Sequence, residues 1–321
     1  MITFILHTHE KTKTMKNLLF FSAIILITSC SSGIKPVEST PTAQLGEGAI
    51  WHPEKEALLW VDITGGKVYM YKPGKGMIHD ISLESMVGTV VPATGEYFAI
   101  AAQETGISGL KEDGTKQKIA DFPADALSNV RFNDGKCDPE GRFWVGTMEK
   151  TAKEGAAKLY MLGDDSLHIK KSNITISNGI VWDTNKNIMY YIDTPTQQVA
   201  AYDYEPETGA ISNKRVVVEV PKEKGSPDGM SIDAEGKLWI AHWGGNGVYR
   251  WDPETGNLME KIEVPAPNVT SCAFGGSDLT TLYITTAREG LSEEQLKTYP
   301  QSGSLFVIET NVKGTQANLF K

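Results

Sequence analysis

The chain of 321 residues carries 40 acidic and 31 basic side chains, which gives a formal net charge of −9 at pH 7. This negative balance argues against nucleic-acid binding, because proteins that bind phosphate backbones present a basic face. Three cysteines are too few for a disulfide framework in a chain of this length. The sequence has no CxxC or HExxH pattern, so a structural zinc site is not expected.

The segment 1–29 is predicted to be a lipoprotein signal peptide. Three lysines precede an apolar run at 18–27. This run is too short for a transmembrane helix, which needs roughly 20 residues, and it is typical of a secretory signal. Because small residues stand directly before Cys30, we expect cleavage there and acylation of Cys30. The protein is then exported and held at the cell envelope by lipid alone. The alternative is a plain secretory signal.

A polar segment separates this signal from the folded part of the chain. Residues 30–44 are rich in Ser, Thr and Pro, which is typical of an extended linker. We therefore predict a lipid-attached tether at 30–44 and a single folded domain at 45–321.

Six strand-like segments, each centred on an aromatic residue, recur along this domain. The aromatic residues are Trp60, Phe98, Trp144, Tyr190, Trp239 and Tyr283. They are spaced 38 to 49 residues apart, which is the period of propeller blades with four strands each. Pro-Glu-Thr-Gly turns at 206–209 and 253–256 punctuate two of the repeats. The pattern predicts an all-β fold, a six-bladed β-propeller, with a short helical insert at 292–300.

A second pattern lies upstream of each aromatic residue, where a polar or small residue stands beside glycine or cysteine. The six positions are Glu47-Gly48, Gly88-Thr89, Asn133-Asp134-Gly135, Asn178-Gly179, Asp228-Gly229 and Ser271-Cys272. Equivalent positions of successive blades are related by rotation, so we expect them to converge at the mouth of the central channel. Four of them carry side-chain oxygens: Glu47, Asn133, Asn178 and Asp228. Each dipeptide alone is an ordinary turn, but their common phase favours a site for a hard divalent cation.

At these motifs the sequence resembles the regucalcin/gluconolactonase family, also called the senescence-marker-protein family. The matching segments are LGEGAIWHP at 45–53, RFNDGKCDPEGRFWVGTM at 131–148, SNGIVWD at 177–183 and PDGMSIDAEGKLWIAHWGGNGVYRWDPETG at 227–256. The resemblance implies a six-bladed propeller with one divalent ion on its axis. Matched residue by residue, it implies Glu47, Asn178 and Asp228 as metal ligands.

The same resemblance implies a substrate site beside the metal. Arg131 and Asn133 match residues of the family that contact substrate, and Asn133 is also a candidate for the metal. Glu149 follows the GTM segment sooner than the family pattern requires, so it is a further candidate only. His242 could form a wall of the pocket together with Trp243, although a lone histidine is more often a packing residue.

The implied reaction is the hydrolysis of a sugar lactone, an aldonolactone. A divalent ion could polarise the lactone carbonyl, and Asp228 is the candidate catalytic base for the attacking water. The ion itself could be calcium, zinc, magnesium, manganese or ferrous iron. Two alternatives stay open: an organophosphate or aryl-ester hydrolase using the same site, and a calcium-binding propeller scaffold without catalysis.

The remaining expectations concern cysteines and assembly. Cys137 and Cys272 lie in patterns of buried strands, so we expect two packed thiols rather than a disulfide. The expected partner is a small sugar lactone. A propeller closes its own core, so a monomer is expected.

Overall fold

A computed structural model describes residues 33–123, 129–163 and 166–321. The predicted signal peptide and Cys30 lie outside these residues. The described chain forms six four-stranded antiparallel sheets, here called blades 1 to 6. The structure therefore confirms the predicted all-β, six-bladed propeller.

Blades 1 to 3 each consist of four strands consecutive in the chain, every strand pairing with the next. Blade 1 contains β2 (Gly46–His52), β3 (Ala57–Asp62), β4 (Lys67–Lys72) and β5 (Gly76–Ser82). Blade 2 contains β6 (Val87–Pro92), β7 (Ala99–Gln103), β8 (Gly106–Leu110) and β9 (Lys116–Asp121). Blade 3 contains β10 (Val130–Cys137), β11 (Phe143–Glu149), β12 (Ala157–Leu162) and β13 (Leu167–Ile174).

Blades 4 and 5 repeat this order, and blade 6 combines both ends of the described chain. Blade 4 contains β14 (Ser177–Asp183), β15 (Ile188–Asp193), β16 (Gln198–Glu205) and β17 (Ala210–Glu219). Blade 5 contains β18 (Ser226–Ile232), β19 (Leu238–Trp243), β20 (Gly247–Trp251) and β21 (Leu258–Glu263). Blade 6 contains β22 (Val269–Gly275), β23 (Thr281–Thr286), β24 (Phe306–Glu309) and β1 (Lys35–Pro36).

The first strands of the blades form a closed ring around the channel. Each of the strands β2, β6, β10, β14, β18 and β22 contacts the next, and β22 contacts β2. The hydrogen bonds of blade 6 complete the closure, because Lys35 pairs with Val307 and Pro36 with Phe306. Part of the segment predicted as a tether thus belongs to the last blade, and the domain begins before residue 45. Proline is tolerated there because β1 is an edge strand.

The predicted aromatic residues lie inside the blades. All six are buried, and Trp60, Trp144 and Trp239 are at most 1% exposed. In blade 3 the Trp144 indole donates to Asp138 Oδ2 at 2.9 Å. In blade 5 the Trp239 indole donates to Asp233 Oδ2 at the same distance. The period seen in the sequence therefore reflects a repeated packing unit, which in blades 3 and 5 also shares this hydrogen bond.

Helical structure is confined to short segments of the described chain. The insert predicted at 292–300 contains α1 (Glu293–Thr298), capped by Ser292 and Gln295 in a capping box. Two single-turn 3₁₀ helices occupy Thr194–Thr196 and Lys222–Lys224. No helix among the described residues is long and apolar enough to cross a membrane. Cys137 and Cys272 are buried free thiols, as expected.

Candidate metal and substrate site

A break in strand pairing recurs near the start of all six first strands. The interruptions lie between Glu47/Ile50, Val87/Thr89, Phe132/Gly135, Asn178/Ile180, Pro227/Met230 and Val269/Ser271. A β-bulge of this kind locally bends the strand and re-aims a side chain. Because the six breaks share one phase of the repeat, they act on the positions that the sequence places at the channel mouth.

The glycines beside these positions allow neighbouring first strands to approach closely. A Cβ on Gly179 would lie 2.7 Å from the backbone oxygen of Asp228 in the next blade. A Cβ on Gly229 would lie 2.6 Å from Ser271 Oγ in the blade after that. Both distances are shorter than real contacts, so only glycine fits without a shift of the backbone. Close packing around the channel therefore depends on these residues.

Glu47, Asn178 and Asp228, here called the axial cluster, are the three predicted metal ligands. Each is 5 to 7% exposed. The side chain of Asp228 interacts with both Glu47 and Asn178. The strands β2, β14 and β18 thus bring together side chains that are up to 181 positions apart in the chain.

Two oxygens of the axial cluster have no hydrogen-bond partner among the described residues: Asn178 Oδ1 and Asp228 Oδ1. The amide of Asn178 is held in place by its nitrogen, because Nδ2 donates to Thr194 Oγ1 at 3.0 Å. Thr194 Oγ1 in turn donates to the Pro227 carbonyl at 2.9 Å. Buried polar atoms are normally paired, so these two oxygens mark a place for a bound ligand.

The electrostatics of the axial cluster favour a cation. Burial, followed by the charge of Asp134, raises the pKa of Glu47 to about 8. Burial, followed by the charges of Glu47 and Asp134, raises the pKa of Asp228 well above its ordinary value. Carboxyl groups at this depth stay ionised only with a compensating positive charge. A divalent ion would be one source of such a charge.

The oxygen donors fit such an ion by their chemistry. Carboxylate and amide oxygens are the ligands of hard cations. The described residues contain no group of three or more His, Cys, Asp or Glu side chains that could hold a metal. A site here therefore needs the amide of Asn178 as well as the carboxylates of Glu47 and Asp228.

Asp134 is a third buried carboxylate beside the axial cluster, and sequence reasoning assigned it no role. Its Oδ1 accepts from Gly135 N at 2.7 Å, and its Oδ2 has no partner among the described residues. Strict strand alternation would put Asn133 and Asp134 on opposite faces. The break between Phe132 and Gly135 removes that alternation. The signal available in the sequence was the Asn-Asp-Gly run, but the bulge itself is visible only in the strand register.

Arg131 and Asn133 form a hydrogen-bonded pair next to the axial cluster. Arg131 Nη1 donates to Asn133 Oδ1 at 2.7 Å and to the Phe132 carbonyl at 2.9 Å. Asn133 Nδ2 donates to the Ser177 carbonyl at 2.8 Å. Burial lowers the pKa of Arg131, and the charge of Glu47 acts in the opposite direction. Asn133 therefore positions the guanidinium, and its oxygen is already engaged by Arg131.

Glu149 is held by its own loop. Its Oε1 accepts from Asn129 Nδ2 at 2.6 Å, and its Oε2 accepts from Thr151 N and Oγ1 at 2.8 and 2.7 Å. Hydrogen bonds, that from Thr151 above all, lower the pKa of Glu149 to about 2. These contacts engage both oxygens, and no described hydrogen bond or ion pair connects Glu149 to the axial cluster.

His242 is packed inside blade 5. It is fully buried, its Nδ1 donates to the Lys224 carbonyl at 2.9 Å, and its ring stacks on Tyr249 at 3.9 Å between centroids. Burial lowers the pKa of His242 to about 4, which keeps the ring neutral at pH 7. The geometry gives His242 the packing role, and no hydrogen bond or ring contact among the described residues joins it to Arg131 or Asp228.

Comparisons with known proteins agree with the fold and the motifs. Residues 45–288 match the family model described as SMP-30/Gluconolactonase/LRE-like region. A Bacillus subtilis protein named as a sugar lactone lactonase, YvrE, is 38% identical over 281 residues, which cover 87% of this chain and 96% of that protein. Regucalcin of Danio rerio is 40% identical over 276 residues, which cover 84% of this chain and 92% of that protein. A solved calcium-binding regucalcin of Agrobacterium tumefaciens is 28% identical, with a TM-score of 0.84 and coverage of 91% and 98%.

Proposed function

Because this chain belongs to the SMP-30/gluconolactonase/LRE-like family, we propose that it is a divalent-metal-dependent hydrolase of sugar (aldono-) lactones acting at the axial cluster. The observation that carries this proposal is a pair of buried oxygens without a hydrogen-bond partner among the described residues, Asn178 Oδ1 and Asp228 Oδ1, beside the carboxylate of Glu47. Such a group of donors is costly in an empty protein and favourable around a cation.

Glu47, Asn178 and Asp228 would hold the ion. When bound, a divalent ion supplies Lewis-acid polarisation of a carbonyl and a lowered pKa for water. All three donors are oxygens, which favours a hard cation such as calcium, magnesium or manganese. The name of the A. tumefaciens relative, a calcium-binding protein, supports calcium as the first ion to test.

The side chains of this site can perform the proton transfers of lactone hydrolysis. The oxygen of water bonds to the carbonyl carbon, the ring C–O bond breaks, and the leaving oxygen gains a proton. We assign Asp228 as the general base that takes the proton of the water, since a carboxylate has a second oxygen besides the one that would bind the ion. Arg131, positioned by Asn133, still has N–H groups that can donate to substrate hydroxyls or to the new carboxylate.

The test is acid release from glucono-δ-lactone above its spontaneous rate. The protein is stripped with chelator and then given single metals. We expect turnover to return with one or more divalent ions in the wild type, and in Glu149→Gln, which changes a buried carboxylate outside the axial cluster. Asp228→Ala should stay inactive with every metal. No turnover with any metal, across a panel of pentono- and hexonolactones, would contradict the proposal and favour a binding scaffold.

We also propose that the protein is exported and anchored through Cys30. The supporting observation is the sequence 1–30, which lies outside the described residues. The structure adds a constraint on geometry, because β1 begins at Lys35, only five residues after Cys30. A fully extended linker of this length spans about 17 Å, so blade 6 would lie close to the lipid surface. We expect the wild type to partition into detergent and Cys30→Ala to stay in the aqueous phase; equal partitioning would contradict lipidation.

A further inference from the structure

A cavity of about 390 Å³ lies toward the other end of the first strands. Its lining includes Ile50, Val181 and Ser231. These residues come three positions after the three members of the axial cluster on the same strands. At about 3.3 Å per strand residue, they lie up to about 10 Å further along the channel, and no member of the axial cluster lines the cavity. The cavity is therefore separate from the axial cluster.

The C-terminal tail crosses this end of the channel and completes the cavity wall. Thr315 N donates to the Ile232 carbonyl of blade 5 at 3.2 Å. Asn318 Nδ2 donates to the Cys137 carbonyl of blade 3 at 3.1 Å. Phe320 N donates to the Pro92 carbonyl of blade 2 at 2.9 Å. The tail thus ties three blades together and holds Gln316 and Ala317 over the cavity.

The cavity contains one cation without a close counter-ion. Lys136 lines it, and its ammonium donates to the Met230 carbonyl. No ion pair joins Lys136 to a carboxylate among the described residues, although Asp134 and Glu47 act on it from a greater distance. Burial lowers the pKa of Lys136, so a bound anion would offset the solvation that this ammonium has lost.

The two aspartates of the cavity wall do not neutralise Lys136, because their carboxylates are used within their own blades. Asp183 Oδ1 accepts from Asn185 N at 3.0 Å and from Lys186 N at 3.3 Å. Asp233 accepts from two backbone N–H groups, the Trp239 indole and the Arg250 guanidinium. Lys136 is the charge of this wall that remains available to a ligand.

We propose that this cavity is a second ligand site, which binds a small organic monoanion of the sugar-acid type through Lys136. One lysine matches one carboxylate, and the negative charge of the whole chain disfavours a more highly charged ligand. The volume lies within the usual range of small-ligand sites, about 300–1,000 Å³. The hydroxyl and amide groups of Thr184, Asn185 and Gln316 in the wall suit a polyol chain. Binding there does not require that the axial cluster hydrolyse lactones.

The experiment is calorimetric titration of chelator-treated full-length protein with three probes: gluconate, neutral sorbitol and inorganic phosphate. We expect gluconate to bind more tightly than either of the others. Lys136→Met should weaken gluconate binding by about tenfold or more, as expected for a lost charge-assisted hydrogen bond. Ala317→Phe should weaken it as well by filling the cavity. The matched control is Lys237→Met, since Lys237 pairs with Asp252 at 2.8 Å outside the cavity and should leave the affinity unchanged.

Asp228→Ala separates the two sites. It should abolish lactone hydrolysis if the axial proposal is right, yet retain gluconate binding if the cavity proposal is right. Ala317→Phe keeps Lys136 in place, so it tests the cavity even if Lys136→Met does not fold. Gluconate affinity that is unchanged in both variants would overturn the proposal. Equal affinity for sorbitol would show that the cavity does not select an anion. Tighter binding of phosphate would show that it does not select sugar acids. Either result would overturn the proposal.

Discussion

Two buried aspartates of blade 5, five residues apart in the sequence, differ in their hydrogen bonding. Asp228 stands near the start of β18 and is 5% exposed, whereas Asp233 follows the end of the strand and is 1% exposed. Asp233 accepts four hydrogen bonds of 2.9 Å, from Glu235 N, Lys237 N, Trp239 Nε1 and Arg250 Nε. Asp228 keeps an oxygen without any partner among the described residues.

The difference separates a structural carboxylate from one that is available to a ligand. An ionised carboxylate in the interior is tolerated when donors replace its lost water. Asp233 finds those donors in its own blade, so it stabilises the fold. Asp228 faces Glu47 and Asp134 instead, and burial, followed by the charges of these two groups, raises the pKa of Asp228. The oxygen of Asp228 that has no partner among the described residues is therefore available to a ligand.

The largest expected effect is on catalysis by Asp228→Asn. The amide keeps the shape but cannot take a proton, so we expect kcat for glucono-δ-lactone to fall about 10²- to 10⁴-fold. The free energy of unfolding in chelator should be unchanged or higher, because the substitution removes the cost of burying a carboxyl group that has no compensating charge. Initial rates and denaturant unfolding measure the two quantities. A variant with full activity would make axial catalysis by Asp228 wrong.

We expect Asp233→Ala to have the opposite effects, a large loss of stability and little loss of activity. It leaves the Trp239 indole and Arg250 Nε without their acceptor, while Arg250 Nη2 keeps its contact with Glu235 at 2.6 Å. We therefore expect unfolding to become easier by about 3 kcal/mol. The folded fraction should keep its kcat within a few-fold. Asp138→Ala tests the same unit in blade 3, where the Trp144 indole and Arg142 Nε donate to Asp138 at 2.9 and 2.7 Å. If Asp228→Asn proved more destabilising than both, the comparison between the aspartates would fail.

Acidity should distinguish metal-free from metal-loaded protein. The folded pKa of Glu47 is raised to about 8 by burial and by Asp134, so the folded state binds more protons than the unfolded state between the ordinary glutamate pKa and that value. The stabilisation is present at low pH and is lost as pH rises. In chelator we therefore expect the Tm to fall as the pH rises from 5 to 8. Each loss of 1.4 kcal/mol in the free energy of unfolding should lower the Tm by a few °C. A saturating divalent ion should flatten this slope, and equal slopes would contradict binding at Glu47.

The repeating parts of the molecule could be predicted from sequence because repetition multiplies a weak signal. Trp60, Trp144 and Trp239 recur because each blade buries an equivalent aromatic residue. Glu47, Asn178 and Asp228 recur in phase because rotation about the channel brings them together. The α1 insert was also predictable, since its capping residues are local in the chain.

The unpredicted parts depend on interactions that have no period. Strand β1 has two residues and is defined only by its backbone pairing with β24, so a polar Ser/Thr/Pro-rich stretch gave no strand signal. Asp134 reaches the axial cluster because a bulge breaks the alternation of β10. Glu149 is engaged by Asn129 and Thr151, and such side-chain bonds leave no pattern in the sequence.

The smallest expected effect comes from a single methyl group at the closest approach of two blades. In Gly179→Ala the new Cβ would lie 2.7 Å from the backbone oxygen of Asp228 and 2.8 Å from Met230 Cβ. The strand must shift, and overpacking of this kind costs about 1–3 kcal/mol. Because the displaced backbone belongs to Asp228, we also expect a loss of kcat and of metal affinity, measured by initial rates and by metal titration.

Gly95→Ala separates backbone cost from damage to the axial cluster. Gly95 has φ +81° with nothing within 4 Å of a built Cβ, so alanine there strains the backbone by about 1 kcal/mol without a clash. The two variants should therefore lose similar stability, yet only Gly179→Ala should lose activity and metal affinity. Equal kcat in both would mean that Asp228 tolerates displacement. Its unpartnered oxygen would then be a by-product of packing rather than a ligand position set by the close approach of blades 4 and 5.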